Sequence, residues 1–237
     1  MMENRIRNAV IMASGMGSRM RPLTDTVPKP LIEVHGIPMI ETVINGLVSC
    51  GVNDITVVVG YLADQFSYLP DKYAGISLIR NPYYERINNI SSVYVARESL
   101  RKGACYVCEA DLYISDPGIF QPGPKESCYF GEYGKGYTDD WVFSTDDRGY
   151  ISRVGKGGAD CFRMVGICCL MQEEAERVAD AIEKEWMTPG YEELFWDDVV
   201  DRHLSEIPLK IHPVPEGSIL EIDTEEELKR INKEQDK

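Results

Sequence analysis

The sequence predicts an α/β fold: one doubly wound, mixed but mainly parallel sheet with helices on both faces and a small antiparallel extension. Three observations carry that prediction. Short apolar runs that end in glycine or small residues, the mark of strands buried on both faces, alternate with helical periods through the first half of the chain. Strand, helix, strand in that order requires right-handed crossovers and parallel pairing. Over residues 127 to 170 the helical period vanishes, and strand-like runs meet at turns instead.

Element by element, Ala9-Val10-Ile11-Met12 is the first buried strand. Pro38 opens a helix in which Ile40, Val43, Ile44, Leu47 and Val48 keep the i, i+3, i+4 spacing, and Gly51 stops it. Ile55 to Gly60 reads as the second strand, Leu62 to Leu69 as a short helix closed by Pro70, Ile76 to Ile79 as a strand, and Ser92 to Leu100 as a helix running into Gly103. Cys105 to Glu109 is a further strand, followed by Ala110-Asp111. Within the antiparallel stretch, Asp146-Asp147-Arg148-Gly149 is a hairpin turn between Trp141-Val142-Phe143 and Tyr150-Ile151-Ser152. Helical spacing returns at Ala175, Val178, Ile182 and Trp186 and again around Leu194 to Leu204, before a short strand at Ile219 to Ile222 and a charged helix from Thr224. With no repeat, low-complexity stretch or linker, residues 1–237 read as a single domain.

Composition narrows the function. The 237 residues carry 25 basic against 39 acidic side chains, a net charge of −14. Such an acidic balance argues against nucleic acid or an anionic membrane as partner, and phosphate handling would need a metal or a small cluster of cations. The longest apolar run, Ile55 to Val59, is far short of the ~20 residues of a membrane span, and Met1 to Asn8 lacks an apolar signal core. A cytoplasmic protein with no membrane insertion is expected. Seven scattered cysteines fit reduced thiols, and the Cys105-Cys108 pair lies in a strand rather than at a helix start, which favours a structural role over redox or zinc chemistry.

Immediately after the first strand stands Ala13-Ser14-Gly15-Met16-Gly17-Ser18-Arg19-Met20-Arg21-Pro22-Leu23-Thr24, with Pro28-Lys29-Pro30-Leu31 a few residues on. Glycines at a strand end let backbone N–H groups approach a phosphate, and Arg19 and Lys29 add a forked and a point positive charge. Met20 replaces the third glycine of a dinucleotide fingerprint, and no P-loop pattern is present. The string GMGSRMRPLTDTVPKPLIEV resembles the signature of the nucleotidyltransferases that join a nucleoside triphosphate to a phosphorylated acceptor. That family includes the sugar-1-phosphate nucleotidyltransferases and the bacterial phosphocholine cytidylyltransferases. Ser14 stands where the family usually has alanine, and Met20 where leucine is common. The resemblance implies a Rossmann-like sheet of the nucleotide-diphospho-sugar transferase kind, with residues 8–115 as nucleotide-binding half and 116–237 as acceptor-binding half. It gives the nucleotide to the loop Ala13, Ser14, Gly15, Met16 and Gly17, the leaving phosphates to Arg19, and the α- or acceptor phosphate to Lys29. Gly60, Tyr61, Asn88, Asn89 and Ser92 follow strand ends or open a helix, positions suited to reading base and ribose or simply to turns and caps.

Glu109-Ala110-Asp111 and Glu221-Ile222-Asp223 each close a strand. In an open parallel sheet such ends share an edge with the glycine loop, so Asp111 and Asp223 can meet over one triphosphate, where a hard cation offsets their repulsion. The resemblance implies that these two aspartates hold Mg2+, with Glu109 departing from the family's Asp-Ala-Asp.

For the acceptor, Asp139-Asp140-Trp141 and Leu194-Phe195-Trp196-Asp197-Asp198 set indoles beside carboxylates, a combination that suits a quaternary ammonium or, equally, a packed core. The runs Val58 to Leu62, Asn88-Asn89, Asp140-Trp141, Phe195-Trp196-Asp197 and Ile219 to Asp223 resemble the phosphocholine cytidylyltransferase branch. That likeness implies a cage of Trp141 and Phe195, with Asp140, Trp196 and Asp197 beside it, although Phe195 replaces a more familiar tyrosine. Lys156, in Gly155-Lys156-Gly157-Gly158, falls where the family has a second lysine for the acceptor phosphate; a solvated hairpin lysine is the other reading. The reaction so implied is CTP plus phosphocholine giving CDP-choline and pyrophosphate, with Arg19, Lys29, Asp111, Asp223 and Lys156 as the catalytic set and no general base. A sugar 1-phosphate, phosphoethanolamine or 2-aminoethylphosphonate as acceptor is the alternative, and a non-catalytic nucleotide-sensing subunit a more distant one. The expected partners are small molecules, CTP and phosphocholine, and the sequence is compatible with a homodimer.

Overall fold

The first strand, β1 (Asn8–Ala13), is apolar enough to lie at the centre of the molecule, and Val10 and Ile11 have no exposed surface. The computed structural model describes residues 6–234, so residues 1–5 and 235–237 of the expected domain lie outside the described residues. After β1 come the glycine loop, a short ribbon of β2 (Glu33–Val34) and β3 (Ile37–Pro38), helix α1 (Met39–Ser49) and strand β4 (Asp54–Val59). The single turn α2 (Leu69–Lys72), β5 (Ile76–Arg80), α3 (Ile90–Leu100) and β6 (Cys105–Glu109) complete the parallel part. The remainder runs β7 (Leu112–Ile114), the long strands β8 (Cys128–Thr145) and β9 (Ile151–Leu170), α4 (Gln172–Glu185), α5 (Trp196–Arg202), β10 (Lys210–Val214), β11 (Ile219–Glu221) and α6 (Glu225–Glu234).

Seven strands form one sheet in the order β10-β8-β9-β6-β1-β4-β5. β6, β1, β4 and β5 are parallel, β9 runs antiparallel to both β6 and β8, and β10 is parallel to β8. Helices cover both faces, as the buried runs require. On one face α1 packs Ile40, Val43, Ile44 and Leu47 against Ile11 and Val57. On the other, α3, α4 and α5 bring Val93, Val178, Ile182 and Val199 against Val10, Val58 and Val107. Residues 146–149 make the expected hairpin turn: Asp146 accepts the Arg148 and Tyr150 amides on Oδ1, 2.9 Å each, and Gly149 donates to the Asp146 carbonyl. Among the described residues no helix is long and apolar enough to cross a membrane.

Two expectations are corrected. Pro70 does not close a helix over 62–69: Ala63–Phe66 is a 3-10 turn, and Pro70 sits in the first turn of α2, where its missing N–H costs no helical hydrogen bond. The strand at 219–222 does not join the main sheet; β11 pairs antiparallel with β7 as a separate ribbon. Cys105 and Cys108 are buried in β6 as free thiols, and burial pushes the Cys108 thiol well above its ordinary value, which leaves both inert.

Candidate active site

A cavity of about 800 Å³ opens at the C-terminal ends of β1 and β6, between the glycine loop and the β8–β9 ribbon. Ala13, Ser14, Gly15, Gly17, Arg19 and Lys29 line one wall. The loop is held from behind. Ser14 Oγ shares a 2.8 Å hydrogen bond with Ser92 Oγ, and the Asn81 amide donates to Ser14 Oγ at 3.3 Å, all three residues being buried. Gly17 adopts φ +59°, and a Cβ there would lie 2.8 Å from Lys29 Cβ, so only glycine lets the Lys29 turn close onto the loop. Gly60 and Tyr61 do not line the cavity as expected. The Tyr61 amide donates to the Ser14 carbonyl at 3.1 Å and its hydroxyl to the Thr24 carbonyl at 2.8 Å, while Gly60 lets the Ser14 backbone approach. Met16 is exposed and lies outside the lining.

Asp111 and Asp223 do meet. Lys29 Nζ lies 2.7 Å from Asp111 Oδ2 and 2.7 Å from Asp223 Oδ1, and Arg19 reaches Asp223 Oδ2 at 2.7 Å and Glu221 Oε1 at 3.9 Å. Burial alone would lower the Lys29 pKa; the two carboxylates outweigh it and hold the ammonium above the ordinary lysine value. Their route differs from the sequence reading. Asp223 arrives along the β7–β11 ribbon, in which Glu221 pairs with Leu112, the residue after Asp111. Two more carboxyls crowd the cluster. Burial first, then Asp111 and Glu221, push Glu109 well above the carboxylate range, and Gly166, at φ +72°, leaves room for it because a Cβ would sit 2.8 Å from Glu109 Oε2. Desolvation within the crowded cluster, then Asp223 and Asp111, push Glu221 up to about 7, although half of its side chain stays exposed. Among the described residues no group of three or more His, Cys, Asp or Glu side chains is arranged to hold a metal, so a cation here would also depend on substrate phosphate oxygens.

In the acceptor half the expected aromatic pair forms: the Trp141 and Phe195 rings meet edge to face at 5.5 Å. Lys156 Nζ stands 5.6 Å from each ring centre, so the chain's own ammonium faces the pair. Asp139 and Asp140 line the cavity beside it. Trp196 and Asp197 do not. α5 begins at Trp196, and its period turns Trp196, Asp197, Val199 and Val200 inward while Phe195, the residue before the helix, stays at the cavity. The Trp196 ring packs 5.7 Å from Tyr129, and the Tyr129 hydroxyl donates to Asp197 Oδ1 at 2.8 Å. Burial pushes Asp197 up to about 7. Asn88 and Asn89 line the cavity, but their side chains bind protein: Asn89 Oδ1 accepts the Trp196 amide at 2.8 Å, and Asn88 donates to the Glu193 carbonyl at 3.3 Å. Sequence reasoning missed Tyr84, Glu132 and Arg163, which also line the site. Tyr84 lies in a turn without a period, and the other two lie on a bulged ribbon whose register no turn signal fixes.

Proteins similar to this chain in sequence and fold include nucleotidyltransferases. The family described as MobA-like NTP transferase domain matches residues 9–122. A 2-aminoethylphosphonate cytidylyltransferase of Lancefieldella rimae is 53% identical over 221 residues, covering 93% of this chain and 90% of the relative. A choline-phosphate cytidylyltransferase of Streptococcus pneumoniae is 31% identical, covering 94% and 96%. The solved structure of the CTP:phosphocholine cytidylyltransferase from Streptococcus pneumoniae superposes with a TM-score of 0.87, covering 96% of this chain and 98% of that one. An inositol-1-phosphate CTP transferase from T. maritima, 16% identical with a TM-score of 0.73, shares the fold.

Proposed function

The chain belongs to the MobA-like NTP transferase family, among its cytidylyltransferases, and on that premise we propose that it transfers the cytidylyl group of CTP to 2-aminoethylphosphonate, releasing pyrophosphate. The observation that carries the acceptor is the 53% identity to a 2-aminoethylphosphonate cytidylyltransferase along 93% of the chain, against 31% to the choline-phosphate enzyme. Phosphocholine, the acceptor that the sequence motifs suggest first, gives way to the alternative. The site chemistry agrees. A trimethylammonium group needs bare aromatic faces, whereas the Trp141 and Phe195 rings already face Lys156. A primary ammonium donates hydrogen bonds, and Asp139 and Asp140 offer acceptors at the same end.

In the reaction a phosphonate oxygen, already anionic, attacks the α-phosphorus of CTP. A P–O bond forms there, the bond to the bridging β-oxygen breaks, and pyrophosphate leaves with the electron pair. No proton has to be removed, so positioning and charge neutralisation carry the catalysis. Loop amides at residues 14–17 suit the triphosphate, and Arg19 the departing β- and γ-phosphates. Lys29 bridges toward the α-phosphate, and Lys156 the incoming phosphonate. The donor set at Asp111 and Asp223 fits Mg2+, since it is all oxygen and the Lys29 ammonium between the two carboxylates marks a seat for positive charge. When bound there, the ion supplies charge neutralisation of the triphosphate.

The test is pyrophosphate release from CTP with 2-aminoethylphosphonate, phosphocholine, phosphoethanolamine and glucose 1-phosphate. The expected kcat/KM for 2-aminoethylphosphonate exceeds that for phosphocholine by at least tenfold, about 1.4 kcal/mol of discrimination. The reverse order overturns the acceptor.

A further inference from the structure

Among the described residues four cations line the cavity, and three are engaged. Arg19 and Lys29 neutralise the carboxylate cluster, and Lys156 faces the Trp141 and Phe195 rings. The fourth, Arg163, is different. Among the described residues it makes no ion pair within 4.0 Å, and its Nε is buried without a hydrogen-bond partner. An arginine without an ion-pair partner at a cavity wall is a vacant anion receptor, and its one buried, unmatched N–H adds a cost in free energy that an anion drawn to the guanidinium can offset.

The seat is built for it. Arg163 lies on β9 opposite β8, and the guanidinium rests against the backbone of Gly134, where a Cβ would come within 2.7 Å of Arg163 Cζ. The nearest acid in register, Glu132, is committed elsewhere, for its Oε2 accepts the Gly217 amide at 2.9 Å. Position identifies which anion. Ile167 pairs with Cys108, and Gly166 packs on Glu109 at the end of β6, so Arg163 stands three residues, roughly 10 Å, further along the ribbon than the carboxylate cluster. It also lies on the third strand from the glycine loop, counting β1, β6 and β9, and on the same ribbon as Trp141 and Lys156. The triphosphate belongs to the loop; the anion on this side belongs to the acceptor.

We propose that Arg163, seated on Gly134, joins Lys156 in gripping the phosphonate of the acceptor, a substrate-binding role that none of the sequence motifs assigns to Arg163. The proposal rests on the acceptor being a small phosphonate or phosphate monoester, and the guanidinium takes two of its oxygens as a bidentate fork.

The experiment measures KM for acceptor and for CTP separately in Arg163→Ala, Arg163→Gln, Arg163→Lys and Gly134→Ala, using whichever acceptor of the panel turns over best. Arg163→Ala is expected to raise the acceptor KM at least 30-fold with the CTP KM within twofold. Arg163→Gln, which keeps the stem packed on Gly134 and guards against loss of fold, should show the same split. Arg163→Lys should recover part of the loss, and Gly134→Ala, which retains the charge and displaces it, should raise the acceptor KM alone. An acceptor KM within threefold of wild type, or parallel rises for acceptor and CTP, overturns the proposal. If the panel selects phosphocholine, the choice of 2-aminoethylphosphonate fails while the Arg163 split is still read on the phosphate of that substrate.

Discussion

At the scale of single residues, Asp197 shows how a motif can be read correctly as a pattern and wrongly as a site. Its carboxyl lies beneath the cavity, bonded to Tyr129, with a native pKa near 7 against an ordinary value of 3.8. The native state therefore holds a proton that the unfolded chain has already released between about pH 4 and 7, so this group costs stability as pH rises through that window, by a few kcal/mol at most. Below pH 4 both states are protonated and the group contributes nothing. Asp197→Asn keeps an acceptor for Tyr129 and abolishes the ionisation. Thermal scans should show the melting temperature of the variant gaining on wild type from pH 4.5 to pH 8, and a difference independent of pH refutes the account. The glycine loop cations and the two aspartates that meet at Lys29 were legible because their chemistry is local to short strings. Arg163 was not, because a lone arginine on a strand carries no signal until the partner strand shows what it lacks.

At the scale of elements, α3 and α5 are tied at their N-termini by one hydrogen bond, from the Trp196 amide to Asn89 Oδ1. Asn89→Ala leaves that amide unmatched, which should cost about 1–2 kcal/mol in urea unfolding. It also loosens Phe195, so the acceptor KM should rise several-fold while the CTP KM stays put; a shifted CTP KM would return Asn89 to the nucleotide. Helices and buried strands were readable from period, since their apolar residues answer to one sheet. The exceptions have a shared cause. Pro70 obeys the local rule that proline suits a helix's first turn as well as the position just past its end, and β11 is too short for its sequence to state which strand it pairs with.

For the molecule as a whole, the seven-stranded sheet takes strands from both the 8–115 and 116–237 spans, and the cavity is walled by both. Unfolding should therefore be one transition, and CTP with Mg2+ at about 100 times Kd should stabilise it by about 2.7 kcal/mol, a rise of roughly 5–10 °C at this chain length. Two separate melting transitions, only one of them shifted by ligand, would contradict a shared site. The charge of −14 suits this arrangement, since the acids nearest the phosphates are already matched by Lys29 and Arg19. Fold class was predictable from the sequence because alternation and crossovers constrain topology; the position of the β7–β11 ribbon was not.

That ribbon has a consequence for how activity is acquired. β7 and β11 are three residues each and pair across about a hundred residues of chain, a separation that β1 and β6 also span but with longer strands at the centre of the sheet. A chain whose main sheet has formed while the ribbon is still open owns its glycine loop but lacks the second aspartate, and its Lys29 is half-matched. Such a species is silent. Turnover during refolding should therefore lag behind recovery of secondary structure, which makes the enzyme a reporter of its own last folding step.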